Sequence, residues 1–321
     1  MPTSSNRRTA AALTSLTTLL ALSALSACGG DADADGGQPA VGAKATIAGT
    51  VVQRDAALYD LLPDSVRKSG TVRVATDVPY PPFEMYAAAG SDEMTGLDYD
   101  LGQALGAKLG VRFAFSAQKF DGIVPALQAG KFDVAMSAMT DNKDRQQVVD
   151  FVDYTQSGSG IMVADGNPEK ITGLDDLCGH KVAVQAATNQ LELLTGHQKD
   201  CAAAGRGKID IQTFPKDSDA QLALRSGKVV ADVLTKPAAG WTAKTADDGK
   251  AFDLVEDPKA PGGYNASPNG IAVSKKLPEL TTAIQKALQA LIDDGTLKRI
   301  CDQYGVGSIA LDKATRNAAV D

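Results

Sequence analysis

The sequence lacks the residue patterns of most catalytic and metal centres. It has only two histidines, His180 and His197, and neither has a second ligand at metal-binding spacing, so we expect no zinc site. No Gly-x-Ser-x-Gly segment is present, which argues against a serine hydrolase with a nucleophile elbow. Neither Gly-x-Gly-x-x-Gly nor Gly-x-x-x-x-Gly-Lys-Ser/Thr occurs, so no phosphate-binding loop is predicted. We therefore expect a binding protein rather than an enzyme, with no metal and no cofactor.

Clustered positive charge is also missing. The chain has 32 Lys and Arg against 39 Asp and Glu, a net charge of −7. No basic patch with interleaved aromatics is found, so nucleic acid is not expected as a partner. Beyond the N-terminus, no apolar run approaches the roughly 20 residues of a membrane span. The length of 321 residues, with 44% hydrophobic residues, favours a globular protein of about two domains.

The N-terminus has the pattern of an export signal. Two arginines, Arg7 and Arg8, precede an apolar stretch of small residues from Ala10 to Ala24. Leu25-Ser26-Ala27-Cys28 looks like a lipoprotein signal box, in which the cysteine becomes the first mature residue and carries the lipid. The alternatives are an ordinary signal peptide followed by a chance cysteine, and twin-arginine export, whose remaining pattern is absent. We expect residues 1–27 to be the signal peptide and the exported protein to be tethered at the outer face of the cell membrane, extracellular or periplasmic.

Four cysteines are present, and export permits disulfides. With Cys28 assigned to the lipid, Cys178 and Cys201 bracket a predicted strand–helix unit and are the expected disulfide pair. Cys301 is left over. It lies in a helical pattern near the C-terminus, and we expect it to be a buried free thiol.

The periodicity of the chain predicts two α/β series separated by breaks. Residues 28–57 are rich in small residues and are expected to be a flexible stalk. Alternating strands and helices then follow to residue 149, and a second series runs from residue 181 to 245. A mostly parallel sheet with helices on both faces is predicted for each series. The tail, residues 311–321, is expected to be loose.

One segment, Asp133 to Arg145, combines a buried strand with a polar turn. Asp141 is placed as a helix N-cap with Asp144 three residues later, the form of a capping box. Free backbone N–H groups at a helix start suit an anion. Arg145 adds a planar guanidinium that fits a carboxylate bidentately, although a surface arginine is the plain alternative. We predict that a small anion is held here.

A second segment presents side chains from a stiff loop. Asp77 to Glu84 follows the strand Thr71–Thr76 and contains three prolines, which restrict the backbone. It therefore offers an acid and two aromatics directly after a strand end, where ligands sit in α/β sheets.

Four segments together resemble the family 3 extracellular solute-binding proteins of the polar amino acid ABC-transporter type. They are Gly70–Asp77 with Tyr80–Glu84, Gly96–Leu101, Phe120–Leu127 through Arg145 to Phe151, and Asp293–Leu297 with Tyr304–Gly305. The resemblance covers roughly residues 66–305. It implies a two-lobed, type II periplasmic-binding-protein-like α/β fold, each lobe a mostly parallel sheet flanked by helices, with two hinge crossings. Lobe 1 would comprise residues 58–158 and 268–310, and lobe 2 residues 159–267.

The resemblance also implies roles for single residues. Asp77 resembles the acid that meets a positive or polar end of the ligand. Tyr80 and Phe120 resemble the pair that sandwiches the ligand side chain, and Phe83 is a further aromatic candidate. The remaining predicted contacts hold the ligand carboxylate: Ser137, Met139, Thr140 and Arg145 in lobe 1, and Thr188 and Asn189 in lobe 2. For the aromatics the alternative role is core packing, and for Thr188 or Asn189 it is helix capping.

The chain departs from the family pattern at one position that matters. The family places an Asp after the lobe 2 strand, where it pairs with the α-ammonium of the ligand. Here that position is Thr235, and Asp232 lies earlier, within the strand. Because a buried ammonium needs a counter-charge, either the alignment slips, or Asp77 takes the ammonium, or the ligand is not a standard α-amino acid. A smaller departure is Ala186-Ala187 in place of a usual glycine.

The function implied is a lipid-anchored receptor that captures a small carboxylate-bearing solute, such as a polar amino acid, and delivers it to an ABC permease. We expect it to be a monomer. One alternative is an enzyme similar to the periplasmic cyclohexadienyl dehydratases, which would need a general acid in lobe 2. Thr235 at the expected acidic position argues against it. The other is a sensory receptor whose closed form is read by a signalling partner.

Overall fold

The computed structural model describes residues 44–320. The strands are β1 (Ala45–Ile47), β2 (Thr50–Val52), β3 (Thr71–Thr76), β4 (Met85–Tyr86), β5 (Met94–Thr95), β6 (Arg112–Ala117), β7 (Val134–Ala135), β8 (Val149–Ala164), β9 (Lys181–Gln185), β10 (Asp210–Phe214), β11 (Ala231–Thr235), β12 (Phe252–Leu254), β13 (Tyr264–Ser274) and β14 (Ala310–Arg316). The α-helices are α1 (Ala56–Tyr59), α2 (Asp64–Ser69), α3 (Leu97–Leu109), α4 (Ile123–Gln128), α5 (Lys143–Gln146), α6 (Asn189–Ala203), α7 (Asp217–Arg225), α8 (Lys236–Thr245), α9 (Pro278–Asp293) and α10 (Thr296–Gln303). Short 3₁₀ turns connect several of them.

One ten-stranded sheet contains two sets of parallel strands joined by two long strands. Strand β3 is parallel to β6 and β7, and β9 is parallel to β10 and β11. Strands β8 and β13 lie between these sets and pair antiparallel with each other, from Val149 opposite Ser274 to Ser159 opposite Tyr264. Beyond Ser159, β8 continues as the antiparallel partner of β11. The fold is therefore the predicted two-lobed α/β arrangement with two crossings, and that prediction is confirmed.

Each lobe has its own hydrophobic core. In lobe 1, α3 buries a leucine face, including Leu101 and Leu105, against α9. In lobe 2, Val182 and Val184 point to one face of β9 and Ala183 to the other, because side chains alternate along a strand. Helices cover both faces, which leaves the carboxyl ends of the strands as the open edge. The exact bounds of the two lobes stay a prediction.

The cysteine assignments agree with the structure. Cys178 and Cys201 form a disulfide whose Cα atoms are 5.5 Å apart, so the predicted pair is confirmed. Closing a loop of this size stabilises the fold by about 3 kcal/mol in the chain-entropy account. Cys301 is buried and free, as predicted, and burial raises its pKa to about 12. A thiol of this kind stays protonated and unreactive at neutral pH.

The predicted stalk is wrong for residues 44–57. Strands β1 and β2 form a hairpin in which Ile47 faces Thr50 across a two-residue turn, Ala48-Gly49, with positive φ at both positions. Ala45 and Val52 are buried against the lobe 1 core. The many small residues of this stretch suggested flexibility. The two short strands are nevertheless ordered, because Ala45 and Val52 pack against the core of lobe 1.

The predicted loose tail is also wrong. Strand β14 pairs antiparallel with β8, and Ala314 is buried. Asn317 accepts a hydrogen bond from the backbone N–H of Phe151 at 2.7 Å and donates to Asp150 at 3.1 Å. The last residues are thus fixed by pairing with β8 and by the side chain of Asn317 rather than by apolar periodicity, which is why the sequence pattern missed them.

The N-terminal predictions lie outside the described residues. These are the signal peptide at residues 1–27, lipidation of Cys28, and the part of the stalk that precedes residue 44. Between residues 44 and 320, no helix combines the length and the apolar character needed to cross a membrane.

Replacing Asn317 with alanine tests the ordered tail. We expect Asn317→Ala to lower the free energy of unfolding by about 2 kcal/mol, because it removes two hydrogen bonds and leaves the N–H of Phe151 without its partner. Lys313→Ala on the exposed side of β14 is the control and should stay within about 0.5 kcal/mol. Chemical denaturation measures both variants. Equal stability of the two would show that the tail is not held as described.

Candidate functional site

A small cavity lies between the lobes, at the carboxyl ends of the parallel strands. Its volume is about 20 Å³, which is room for about one water molecule. Nine of the eleven predicted ligand contacts line it, from both lobes: Asp77, Tyr80, Phe120, Ser137, Thr140, Arg145, Thr188, Asn189 and Thr235. The structure therefore brings together residues that are more than 150 positions apart in the chain. Four further lining residues were not predicted: Glu84, Ala138, Gln185 and Gln190.

Arg145 supplies the positive charge of the cavity. Its Nη1 donates to the carbonyl of Thr140 at 2.7 Å and its Nη2 to the carbonyl of Ala187 at 2.9 Å. Glu192 and Asp141 act on it electrostatically, but within residues 44–320 it forms no ion pair. Burial lowers the pKa of Arg145 to about 10, so the guanidinium remains protonated at neutral pH. Within the described residues, the hydrogen-bond acceptors of this guanidinium are two backbone carbonyls, so its positive charge is available to bind an anion.

The turn before Arg145 differs from the prediction. Asn142, not Asp141, caps α5, and its side chain accepts from the N–H of Arg145 at 2.8 Å. Asp141 is fully buried and accepts from the side chain of Gln146 at 2.8 Å. Helix α5 has only four residues, so its dipole is small and the guanidinium itself is the anion-binding element. The sequence placed the cap one residue early because Asn and Asp are both good caps.

The hydroxyls predicted to meet a carboxylate are placed on both lobes. Ser137 accepts from the N–H of Asp77 at 2.9 Å and donates to Glu84 at 2.7 Å. Thr188 caps α6, accepting from the N–H of Leu191 at 3.2 Å, and also lines the cavity. Capping and lining are therefore compatible at this residue.

Ala187 occupies the left-handed region of the backbone, with φ of 61°. This conformation is costly for a side-chain-bearing residue and easy for glycine, which fits the expectation of a glycine at Ala186-Ala187. The carbonyl of Ala187, in lobe 2, accepts a hydrogen bond from Arg145, in lobe 1, so this turn connects the two lobes.

The two predicted aromatics of the cavity wall have different partners. Phe120 places its ring 5.5 Å from the guanidinium of Arg145, within the range of a cation–π contact. The hydroxyl of Tyr80 accepts from the N–H of Thr235 at 2.9 Å and lies 3.0 Å from its Oγ1. Tyr80 thus joins lobe 1 to lobe 2 at the position where the family pattern has an acid.

Phe83 and Met139 are not part of the cavity wall. Phe83 is fully buried in the lobe 1 core, and Met139 is 1% exposed in a neighbouring cluster. Both side chains pack into the interior of lobe 1, so the structure does not bring them to the cavity, and their roles as ligand contacts stay a prediction. The carbonyl of Met139 instead accepts from the N–H of Gly270 at 3.0 Å.

The hydrogen-bond partner of the Asp77 carboxylate is a side-chain amide. Its carboxylate accepts from Nε2 of Gln185, in lobe 2, at 2.5 Å, and burial raises its pKa. Gln185 is the last residue of β9. The rule that ligands sit at the carboxyl ends of parallel strands would have identified it, had it been applied to lobe 2 as it was to lobe 1.

Glu84 forms a buried acid pair with Asp98 at the base of the cavity. Burial, together with the charge of Asp98, raises the pKa of Glu84 well above its ordinary value. Burial raises the pKa of Asp98 to about 6, although it accepts hydrogen bonds from the N–H of Ala138 at 2.8 Å and the hydroxyl of Tyr154 at 2.6 Å. Two carboxyls this close cannot both ionise cheaply, so Glu84 holds the proton.

The sequence of this chain matches a known protein family. Residues 72–307 match the bacterial extracellular solute-binding proteins, family 3. The chain belongs to this family. The predicted family is thereby confirmed.

Related family 3 proteins include named amino acid-binding proteins. The arginine-binding protein ArgT of Corynebacterium glutamicum is 30% identical over 80% of this chain and 81% of its own length. The L-cystine-binding protein TcyJ of Escherichia coli is 29% identical over 75% of this chain and 85% of its own. An ancestral arginine-binding protein solved with arginine bound is 35% identical, with a TM-score of 0.65 over 74% of this chain and 98% of that one.

A further solved structure bears on the enzyme alternative. The ancestral amino acid-binding protein AncCDT-1, described as a precursor of cyclohexadienyl dehydratase, is 34% identical with a TM-score of 0.64, over 75% of this chain and 97% of that chain. The similarity is to a binding protein that preceded the enzyme.

The acid pair at the base of the cavity predicts how stability depends on pH. The folded pKa values of Glu84 and Asp98 are raised, so their contribution is fully present below pH 4 and is lost as the pH rises through 6 and above. Glu84→Gln keeps a partner for Ser137 and removes one titrating group. We expect the loss of unfolding free energy as the pH rises above about 4.5 to shrink in this variant, by up to about 1.4 kcal/mol per pH unit.

Glu93→Gln, at an exposed position, is the matched control and should follow the wild type. Denaturant titrations at each pH measure the effect. Parallel curves for both variants and the wild type would contradict the assignment of a shared proton to Glu84 and Asp98.

Proposed function

We propose that this family 3 protein is the solute-binding receptor of an ABC importer and that it captures an amino acid by its carboxylate. The observation that carries the proposal is Arg145, a protonated guanidinium that lines the cavity between the lobes and has only carbonyl partners. The names of its relatives, which bind arginine or cystine, support an amino acid as the solute. The predicted site residues remain part of this proposal.

The carboxylate would exchange with bonds that the protein now makes to itself. Arg145 can turn its fork from the carbonyls of Thr140 and Ala187 to two carboxylate oxygens, gaining charge-assisted hydrogen bonds. Ser137 from lobe 1 and Thr188 from lobe 2 also line the cavity and offer hydroxyl groups. Phe120 keeps one side of the guanidinium apolar, which strengthens the pair by excluding water.

Binding requires the lobes to separate and close again. Among the described residues, hydrogen bonds that cross the cleft join five pairs: Tyr80 with Thr235, Gln185 with Asp77, Asn142 with Asn189, Arg145 with Ala187, and Lys216 with Val78. A cavity of about 20 Å³ admits no amino acid, so entry means breaking these contacts. Strands β8 and β13 run through both lobes and are the natural hinge. The ligand then stabilises the closed form by replacing the cross-lobe bonds with its own.

The location and partners follow from the sequence. We propose that Cys28 carries the lipid, that the segment before residue 44 tethers the protein to the outer face of the membrane, and that a monomer docks on an ABC permease. Lobe 1 would be residues 58–158 and 268–310, and lobe 2 residues 159–267.

Catalysis is not part of the proposal. Dehydration of a prephenate-like substrate needs a general acid in the lobe 2 wall. In this chain the position is Thr235, whose N–H donates to Tyr80. A sensory role would use the same site and closure, with a signalling partner in place of the permease.

Replacing Arg145 tests the proposal. We expect Arg145→Ala to weaken L-arginine binding at least 100-fold, because one charged bidentate contact is lost and the ligand carboxylate is left without a counter-charge. Arg112→Ala, at an exposed position of lobe 1, is the control and should bind like the wild type. Isothermal titration calorimetry measures both, and circular dichroism checks the fold.

A ligand comparison sharpens the test. Agmatine is arginine without its carboxylate, so it should bind the wild type far more weakly than L-arginine does. If Arg145→Ala keeps full affinity, or if agmatine binds as tightly as arginine, the carboxylate site is not at Arg145. L-glutamine and L-cystine belong in the same panel, since related proteins are described with these ligands.

A further inference from the structure

A second groove lies on lobe 1, at the amino ends of its parallel strands. Thr71 begins β3 and Arg112 begins β6, and these two residues are opposite each other in the parallel register. The volume of the groove is about 560 Å³, within the range of small-molecule sites. The ligand cavity lies at the carboxyl ends of the same strands, and the six residues of β3 span about 20 Å, so the two sites are separate.

Strand register places a row of polar residues along this groove. Thr71 and Arg73 are two residues apart in β3 and so point to the same face, whereas Val72 between them is buried. Asp133 lies beside Arg73 directly before β7, and its carbonyl accepts from the N–H of Ser274 at 3.0 Å. The four polar residues of this row all line the groove.

The lining of the groove is positively charged. Its cations are Arg73, Arg112 and Lys276, and among the described residues its only acid is Asp133. The two carboxylate oxygens of Asp133 accept from Nε and Nη2 of Arg73 at 3.1 and 2.6 Å. The charge of Arg73 is thereby balanced, while those of Arg112 and Lys276 remain, in a chain whose net charge is −7.

The two remaining cations can accept an anion without losing a partner. Within residues 44–320, Arg112 forms no ion pair, and the ammonium of Lys276 donates to the carbonyl of Gln128 at 2.7 Å. An ammonium has three donor hydrogens, so Lys276 can keep this bond and still bind an anion. Both side chains are exposed, so a dissolved molecule can reach them.

Apolar side chains form another part of the wall. Val66 and Phe132 line the groove and are only 3% and 5% exposed, and Leu277, which also lines it, is partly buried. A groove that combines cations with an apolar wall suits an organic anion better than an inorganic one, because the organic part gains by leaving water.

The number of charges selects among organic anions. A phosphate monoester carries a charge of about −1.5 to −2 at pH 7 and has three acceptor oxygens. Arg112 and Lys276 together match that charge, and the planar fork of a guanidinium fits phosphate oxygens. A carboxylate has a single charge and would use only half of what the groove offers.

We propose that this groove is a second binding site, for an organic phosphate monoester, with Arg112 and Lys276 binding the phosphate and Phe132 contacting the apolar part of the molecule. Phosphate monoesters occur both in soluble compounds and in lipid headgroups, and the experiment below distinguishes these sources. The inference goes beyond the proposed function, because the groove is separate from the ligand cavity and does not depend on what that cavity binds.

Calorimetry with phenyl phosphate tests the site, because this probe joins a phosphate monoester to an aromatic ring. We expect the wild type to bind it about tenfold more tightly than benzoate, which has one charge fewer, and than inorganic phosphate, which lacks the ring. The affinity should fall as the salt concentration rises, since exposed charges are screened. It should be the same with and without L-arginine.

Variants locate the phosphate. Arg112→Ala/Lys276→Ala should weaken the binding of phenyl phosphate by about tenfold or more and leave the affinity for L-arginine unchanged. Lys228→Ala/Lys250→Ala removes two exposed positive charges from lobe 2 and is the matched control, which should bind phenyl phosphate like the wild type. Circular dichroism checks the fold of both double variants.

Vesicles separate the two sources of the phosphate. In a Cys28→Ala background, which removes the proposed lipid anchor, the chain is sedimented with phosphatidylcholine vesicles that contain phosphatidic acid, a lipid with a phosphate monoester headgroup. Sedimentation that Arg112→Ala/Lys276→Ala abolishes assigns the groove to lipid headgroups. Binding of phenyl phosphate without sedimentation assigns it to a soluble compound.

Three results would overturn the inference. They are a wild type that does not bind phenyl phosphate, benzoate that binds as tightly as phenyl phosphate, and full affinity for phenyl phosphate in Arg112→Ala/Lys276→Ala. None of them bears on the proposed function, which Arg145→Ala tests at the other end of the strands.

Discussion

The guanidinium of Arg145 is the contact on which the closed arrangement of the lobes depends. One of its nitrogens donates to the Thr140 carbonyl in lobe 1, and another donates to the Ala187 carbonyl in lobe 2. A buried cation with carbonyl partners alone is held less firmly than one paired with a carboxylate. The same group therefore bridges the lobes in the closed form and is ready to exchange its partners for an incoming anion.

Around this cation the cavity is electrostatically asymmetric. Arg145 is its positive group, while Asp77 and Glu84 line it as carboxyls whose pKa values burial raises. A ligand with a free carboxylate would find its counter-charge in Arg145. Such a distribution makes the charge pattern of the ligand, rather than its apolar area, the main basis of selection, because the cavity offers few apolar side chains besides Tyr80 and Phe120.

The sequence predicted the fold well because most helices and strands have a periodic pattern of apolar residues. The leucine face of α3 and the alternation along β9 each identify an element and its buried side. Nine of the site residues were predicted because they follow strand ends or match a family motif. The side chains of Phe83 and Met139 lie outside the cavity wall, and the sequence did not show this because residues inside an irregular segment carry no period that tells which way a side chain points.

The sequence does not show which distant segments of the chain lie close together in the fold. Gln185 meets Asp77, and Asn317 fixes the hinge strand at Phe151, yet nothing near these residues in the chain signals the contact. The most direct test of the central claim is a distance measurement across the cleft. Spin labels at Asp92→Cys in lobe 1 and Asp219→Cys in lobe 2 occupy exposed sites, while Cys301 is buried and the other two described cysteines are paired. With L-arginine, pulsed electron paramagnetic resonance should show the distances narrowing to the single value of the closed form, and Arg145→Ala should abolish this change. A distribution that is the same with and without the ligand in the wild type would contradict capture by lobe closure.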